Sequence, residues 1–254
     1  MMLEGKVIIV TGATDGIGKA TAILFAKEGA KVVMAARGEA KGKVALEGVK
    51  KVGEAIFCKA DVSKSTEVKN MIGEAIQRYG RIDVLVNNAG VSPIGNVVDT
   101  SEEDWDYAIN INLKGVFLCC KYVIPQMLKT GGGIIINVGS INSFMAMENE
   151  AAYDASKGGV LLLTKAIALD FAKRNIRANC ICPGAIETPM LQAVFKAAPD
   201  PKKARETMAA KHPVGRLGIP EEIAKVALFL ATDSSSFITG AAIPADGGML
   251  AGWP

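Results

Sequence analysis

Seven short runs rich in β-branched residues recur along the 254-residue chain, each separated from the next by a stretch with apolar residues at helical spacing. The runs cover residues 6–10 (KVIIV), 31–36 (KVVMAA), 55–60 (AIFCKA), 82–87 (IDVLVN), 133–138 (GIIINV), 176–182 (IRANCIC) and 240–245 (GAAIPA). Most are nearly continuous in apolar character, which a strand tolerates when both of its faces are buried. Buried strands alternating with helices imply a parallel sheet joined by right-handed crossovers. The expected fold is therefore α/β, a single-domain doubly wound parallel sheet of about seven strands with helices on both faces. A hydrophobic content of 50% supplies the core such a sheet needs. No linker, repeat or low-complexity tract interrupts it, so residues 1–254 are expected to form one domain.

The first strand runs into TGATDGIG, residues 11–18, and then into a helix. Glycines at 12, 16 and 18 permit a tight turn and close backbone approach, with the helix N–H groups aimed at an anion. In a strand–turn–helix context this reads as the pyrophosphate cradle of a dinucleotide, the mark of a Rossmann sheet. Two helices are expected to be long. One begins at TSEED, where Ser101 and Asp104 form a capping pattern, and runs to about Leu128, with Pro125 ending or kinking it. The other carries Tyr153 and Lys157 and has a broad apolar face, suited to burial against the sheet and against another subunit.

Composition removes several classes of function. Twenty-nine basic and 26 acidic residues give a net charge of +3, too balanced for a surface that binds nucleic acid. The five cysteines form no CxxC pair and no Cys/His cluster, so neither a disulfide framework nor a metal site is expected. No charged-then-apolar leader opens the chain and no run of 18 apolar residues crosses it, which points to the cytoplasm and to no membrane partner. A Ser-His-Asp hydrolase would have to use His212, the single histidine, and NVGSINS around Ser140 is not a GxSxG elbow. His212 itself reads as a surface residue in a polar segment before Pro213.

Tyr153 and Lys157, in YDASK, share one helical face a turn apart. With TGxxxGIG, NNAG at 87–90, Ser140 and PGxIxTPM at 183–190, the pair gives five motifs in order over nearly the whole chain. Together they resemble the short-chain dehydrogenase/reductase family. The resemblance implies hydride transfer between NAD(P) and a small-molecule secondary alcohol or ketone, with Asn112, Ser140, Tyr153 and Lys157 as the catalytic set. Tyr153 would be the general acid/base, Ser140 would hold the substrate oxygen, and the backbone at Asn112 would hold a water that links Lys157 to solvent. An ordinary phenol titrates near 10, and a unit charge about 4 Å away contributes about 4 kcal/mol at an effective dielectric near 20. Lys157 is therefore expected to lower the Tyr153 pKa and also to hold the ribose hydroxyls.

The same resemblance implies cofactor contacts at Gly12, Thr14, Asp15, Gly16, Ile17 and Gly18, with Asp61 and Val62 at the adenine. Asn88 and Gly90 would line the groove, and Pro183, Gly184, Ile186 and Thr188 would meet the nicotinamide end. Arg37 stands at the end of the second strand, where an NAD-specific site usually carries an acid. Its guanidinium suits a 2′-phosphate, which favours NADP(H), while Asp15 and Glu39 nearby keep NAD(H) open.

Residues 189–216 would form the substrate lid of the family. The six basic residues and two acids between 196 and 216 could attract an anionic substrate, or simply face solvent. Asn142, Phe144, Met145, Met190 and Leu191 are candidate substrate contacts. ADGGMLAGWP resembles the family's interfacial tail, and a homotetramer is the family expectation. Narrower or rival readings are a 3-oxoacyl-carrier-protein reductase, a polyol or sugar dehydrogenase, and a non-catalytic dinucleotide-binding protein.

Overall fold

A computed structural model describes residues 1–252; Trp253 and Pro254 of the expected interfacial tail lie outside the described residues. Seven strands form one parallel sheet: β1 (Val7–Thr11), β2 (Lys31–Ala36), β3 (Ala55–Lys59), β4 (Val84–Asn87), β5 (Gly133–Val138), β6 (Ile176–Pro183) and β7 (Ala242–Ala245). Their order is β3-β2-β1-β4-β5-β6-β7. All seven runs read from the sequence are strands, with the last beginning two residues later than its apolar run.

Alternate strand residues feed two cores. Ile8, Val10, Val32, Met34 and Ile136 pack under α1 (Gly16–Lys27), α2 (Glu39–Lys50) and α9 (Pro220–Leu230). Ile9, Val33, Leu85 and Ile135 pack under α3 (Ser65–Tyr79), α5 (Gly115–Lys129) and α6 (Ala151–Phe171). Each strand is covered on both sides, which is why its sequence shows no polar alternation. The chain reverses its winding between β1 and β4, and the carboxyl ends of those strands diverge into a crevice, as in other open α/β sheets. No helix among the described residues is long and apolar enough to cross a membrane.

The first long helix differs from expectation. Its first part is α4 (Glu102–Ile109), which Ser101 caps by accepting from the Asp104 N–H at 3.0 Å. A π-helical turn at Asn110–Lys114 follows, and α5 then continues past Pro125 to Lys129. Pro125 therefore does not end the helix, and the irregularity falls a dozen residues earlier. A wide π turn frees helical backbone groups from their regular ladder and often marks a functional position.

At the amino ends of the strands, the buried carboxylate of Asp83 accepts from the Val7 N–H at 2.8 Å and from Arg81 Nε at 2.9 Å. It thereby satisfies the first donor of the central strand. An Asp83→Ala variant leaves that buried N–H unpaired and is expected to lose about 1–3 kcal/mol of stability. A urea unfolding midpoint equal to that of the parent would show that water satisfies the donor instead.

Candidate active site

The crevice at the carboxyl ends of the strands is a cavity of about 670 Å³. Sixteen of the seventeen residues expected at the cofactor line it, from Arg37, Asp61 and Val62 past Gly12, Thr14, Asp15, Gly16 and Ile17 to Asn88, Gly90, Tyr153, Lys157, Pro183, Gly184, Ile186 and Thr188. Gly18 is the exception. It lies behind the cavity wall, where a methyl group would collide with the Gly12 carbonyl oxygen. Its role is to let α1 approach β1, and glycine spacing alone does not separate that role from ligand contact.

Two features suit this crevice to a dinucleotide. Asp15, the N-cap of α1, makes no side-chain cap bond, so the N–H groups of the first turn have no side-chain partner. Gly12 and Gly16 have φ of +64° and +49°, and a Cβ on Gly12 would lie 2.9 Å from Ala89 Cα. Asn88 holds the turn by donating from Nδ2 to the carbonyls of Thr11 (2.9 Å) and Gly12 (3.2 Å). Past β2, Arg37 donates to the Tyr107 hydroxyl at 3.1 Å and lies over that ring, 5.7 Å from its centroid. Lys41 joins Arg37 in the cavity wall. Glu39 is not in the wall and instead pairs with Lys43 at 2.9 Å.

Ser140, Tyr153 and Lys157 meet at the other end. Ser140 follows β5 and caps the short 3₁₀ turn Ile141–Ser143, with its Oγ accepting from the Asn142 N–H at 3.1 Å. Lys157 is only 4% exposed, and its Nζ donates to the Val138 carbonyl at 2.8 Å. The same Nζ lies 5.4 Å from the centroid of the Tyr153 ring, so the expected shared face is real. Gly90 leaves room beside it, since a Cβ there would sit 3.7 Å from Nζ and 3.4 Å from Asn112 Oδ1.

Asn112 occupies the π turn and is buried, outside the cavity wall. Its Oδ1 accepts from the Val91 N–H at 2.8 Å. Its Nδ2 donates to the Val91 carbonyl at 2.8 Å and to Ser156 Oγ at 3.0 Å. Ser156 in turn donates to the Tyr153 carbonyl at 2.7 Å. Asn112 thus locks α6 against the loop after β4.

The electrostatics depart from expectation. Burial raises the Tyr153 phenol above its ordinary value, as do the nearby carboxylates of Glu150 and Asp154, while the Ser140 hydroxyl offsets part of the effect. Lys157 does not reverse it. Its own ammonium is pushed down to about 8 by burial, which weakens it as a fixed positive charge.

Several neighbouring assignments also change. Phe144 and Met145 are exposed and off the cavity, whereas Asn142, Met190 and Leu191 line it. The sequence reading missed Met147 and Glu150, which line it too, and Tyr107, which holds Arg37. An acid at the start of a helix ordinarily reads as a macrodipole partner, so no local signal marked Glu150.

The single histidine is buried at 2% exposure. Its Nε2 accepts from the Ala185 N–H at 3.1 Å and its Nδ1 meets the Met208 carbonyl at 2.9 Å. It therefore ties the segment after β6 to α8 (Pro201–Ala210), because a ring with one donor and one acceptor satisfies both backbone groups. The helix α7 (Pro189–Ala197) and α8 turn Met190, Leu191, Val194 and Met208 to the cavity. Lys196, Lys202, Lys203, Arg205, Lys211 and Arg216 are exposed and outside its wall. The basic face of this segment thus meets solvent, not the cavity.

Residues 12–250 match a family model described as enoyl-(acyl carrier protein) reductase. The 3-oxoacyl-(acyl-carrier-protein) reductase FabG of Thermotoga maritima is 46% identical over 255 residues, covering 98% of this chain and 100% of the relative. The chain belongs to the short-chain dehydrogenase/reductase family. Levodione reductase superposes with a TM-score of 0.96 at 33% identity, covering 99% of this chain and 100% of that one. The aldohexose dehydrogenase of Thermoplasma acidophilum gives 0.90 at 35% identity, covering 99% and 96%. The protein is accordingly an NAD(P)-dependent oxidoreductase that interconverts a secondary alcohol and a ketone.

The lowered Lys157 pKa has a consequence for the cofactor-free protein. Between pH 8 and 10.5 the unfolded chain binds more protons at this residue than the folded one, so its contribution to stability rises with pH. Relative to a Lys157→Met variant, the parent is expected to gain up to about 3 kcal/mol from pH 7.5 to 10.5. Parallel urea-unfolding profiles for the two proteins across that range would show that Lys157 titrates normally.

Proposed function

We propose that this oxidoreductase prefers NADP(H) and transfers the proton through Tyr153, acting on a small carbonyl or alcohol as a cytoplasmic homotetramer. The convergence of Ser140, Tyr153 and Lys157 at one end of a crevice continuous with the glycine turn carries the reading. When bound, the nicotinamide supplies or accepts hydride. The first turn of α1 would receive the pyrophosphate, Lys157 the ribose hydroxyls, and Ile186 and Thr188 the carboxamide end.

In reduction, Tyr153 gives its phenolic proton to the substrate oxygen as negative charge develops there. A phenol kept protonated by burial is the form that this direction uses. Ser140, whose hydroxyl donates to Asn142 Oδ1 at 3.0 Å, turns that proton to the same oxygen, and the bond strengthens as the charge grows. In oxidation the proton returns to Tyr153, and a neighbouring ammonium at Lys157 stabilises the phenolate. Asn112 contributes indirectly: its bond to Ser156 holds the turn of α6 that carries Tyr153.

Arg37 and Lys41 support the NADP(H) preference, since both reach the cavity after β2 and Glu39 turns away to Lys43. Residues 189–216 act as a lid over the substrate end within a single catalytic domain. The outward Phe117, Leu162 and Leu169 on α5 and α6 support assembly into an oligomer. A 3-oxoacyl thioester reductase is the narrower second reading, favoured by the 46% identical relative.

Tyr153→Phe is expected to keep its affinity for NADPH while losing at least about 100-fold in kcat, because only the proton donor is removed. Turnover equal to that of the parent on a good substrate would sink this assignment. Calorimetric titration of Arg37→Ala should show NADPH binding weakened about tenfold or more and NADH binding little changed. Equal losses would remove Arg37 from the recognition of a 2′-phosphate.

A further inference from the structure

Glu150 places a half-buried carboxylate in the wall of the cavity, with no part in the steps assigned to Ser140, Tyr153 and Lys157. It is the N-cap of α6, yet its side chain makes no bond to the free N–H groups of that helix. An acid at this position ordinarily gains from such a bond. The backbone around it is held in place. Asn149 has a left-handed φ of 61°, an uncommon state for a residue with a side chain. Gly95 donates to the Asn149 carbonyl at 2.7 Å, and the Ala151 N–H donates to the Gly95 carbonyl at 3.3 Å.

Instead of capping, Glu150 Oε2 accepts from Asn142 Nδ2 at 2.9 Å. The same Nδ2 donates to Asp154 Oδ1 at 2.6 Å, and Asp154 Oδ2 accepts from the Met147 N–H at 3.1 Å. Two carboxylates demand the NH₂ end of the Asn142 amide, so its orientation is determined by the network. The Asn142 Oδ1 is thereby turned to Ser140 Oγ, which donates to it at 3.0 Å.

Glu150 Oε1 accepts no hydrogen bond among the described residues. The same cavity wall carries the apolar side chains of Met147, Met190, Leu191, Val194, Met208 and Met249. Burial and the Asp154 charge raise the carboxyl pKa, and the Asn142 hydrogen bond and Lys211 offset only part of this. Oε1 is not among the buried atoms that lack a partner, so it is open to the cavity and free to accept from a bound molecule.

We propose that Glu150 determines substrate choice, its Oε1 accepting a hydrogen bond from a hydroxyl that the substrate carries close to the reacting carbon. The inference rests on the assignment of Tyr153 as the proton-transfer group. One amide links Glu150 to the oxygen-holding hydroxyl, with Asn142 Nδ2 at 2.9 Å from Glu150 Oε2 and Asn142 Oδ1 at 3.0 Å from Ser140 Oγ, so the substrate hydroxyl belongs close to the reacting carbon. The favoured class is then a hydroxyketone or polyol. A carboxylate-bearing substrate would meet like charge, and an acyl thioester would leave Oε1 unpaired.

The test compares kcat/KM with NADPH for 1-hydroxy-2-butanone, 2-butanone and acetoacetyl-N-acetylcysteamine in the parent, Glu150→Gln and Glu150→Met. The parent should prefer the hydroxyketone over 2-butanone by about tenfold or more. Glu150→Met should bring that ratio close to one, and Glu150→Gln should keep part of it, since its amide carbonyl still accepts. Melting temperatures identify any variant that fails to fold, in which case the other decides. An unchanged ratio in the folded variants, or a parent that turns over the thioester best, would overturn the role of Glu150 and leave that of Tyr153 standing. Absence of turnover with all three compounds and with the corresponding alcohols would overturn both.

Discussion

The crevice depends on one side-chain amide. Asn88 donates to the carbonyls of Thr11 and Gly12, while its own N–H and that of Ala89 donate to Thr11 Oγ1 at 3.0 and 3.1 Å. These bonds join the ends of β1 and β4 just where the two chains leave for opposite faces of the sheet. No further strand pairing is available there, and the carbonyls would otherwise go unsatisfied at a part-buried position. With the strand ends held, the glycine turn keeps its left-handed residues and α1 points its free N–H groups into the gap.

A second consequence of the fold is that the site is assembled from both sides of this divide. Arg37 and Asp61 come from turns after β2 and β3, and Ser140 and Gly184 from turns after β5 and β6. All of these turns lie at the carboxyl ends of the strands because every strand is parallel. Tyr153 and Lys157 arrive by another route, from the first turns of a helix that packs across the sheet. The π turn at Asn112 and the bond to Ser156 keep that helix in register with the loop after β4.

Burial then reshapes the chemistry. Isolated in water, a lysine near a tyrosine would act as a fixed positive charge. Within the protein, desolvation lowers the Lys157 pKa by more than Cys180 and Cys182 raise it, and Tyr153 shares its surroundings with two carboxylates. In the cofactor-free chain both groups are thereby biased toward their neutral forms. The same carboxylates orient Asn142, and through it the hydroxyl of Ser140.

By itself the sequence determined the class of the fold, since continuous apolar runs and helical spacing respond to local geometry and to the need to bury both faces of a sheet. It also located most of the crevice, because glycine turns and a tyrosine–lysine pair at helical spacing are local patterns. Only the tertiary structure decided what depends on surroundings brought from distant parts of the chain. His212 reads as exposed, yet it is enclosed by the segment after β6 and by α8. Gly18 belongs to the motif but serves packing, while Glu39 belongs to the right turn but pairs with Lys43. Glu150 shows no distinctive spacing, and its place in the cavity follows from its bond to Asn142 and from the bonds of its neighbours Asn149 and Ala151 to Gly95. The direction of the Tyr153 and Lys157 pKa shifts was likewise a tertiary outcome, because desolvation is set by everything packed around a group and not by the residue four positions away.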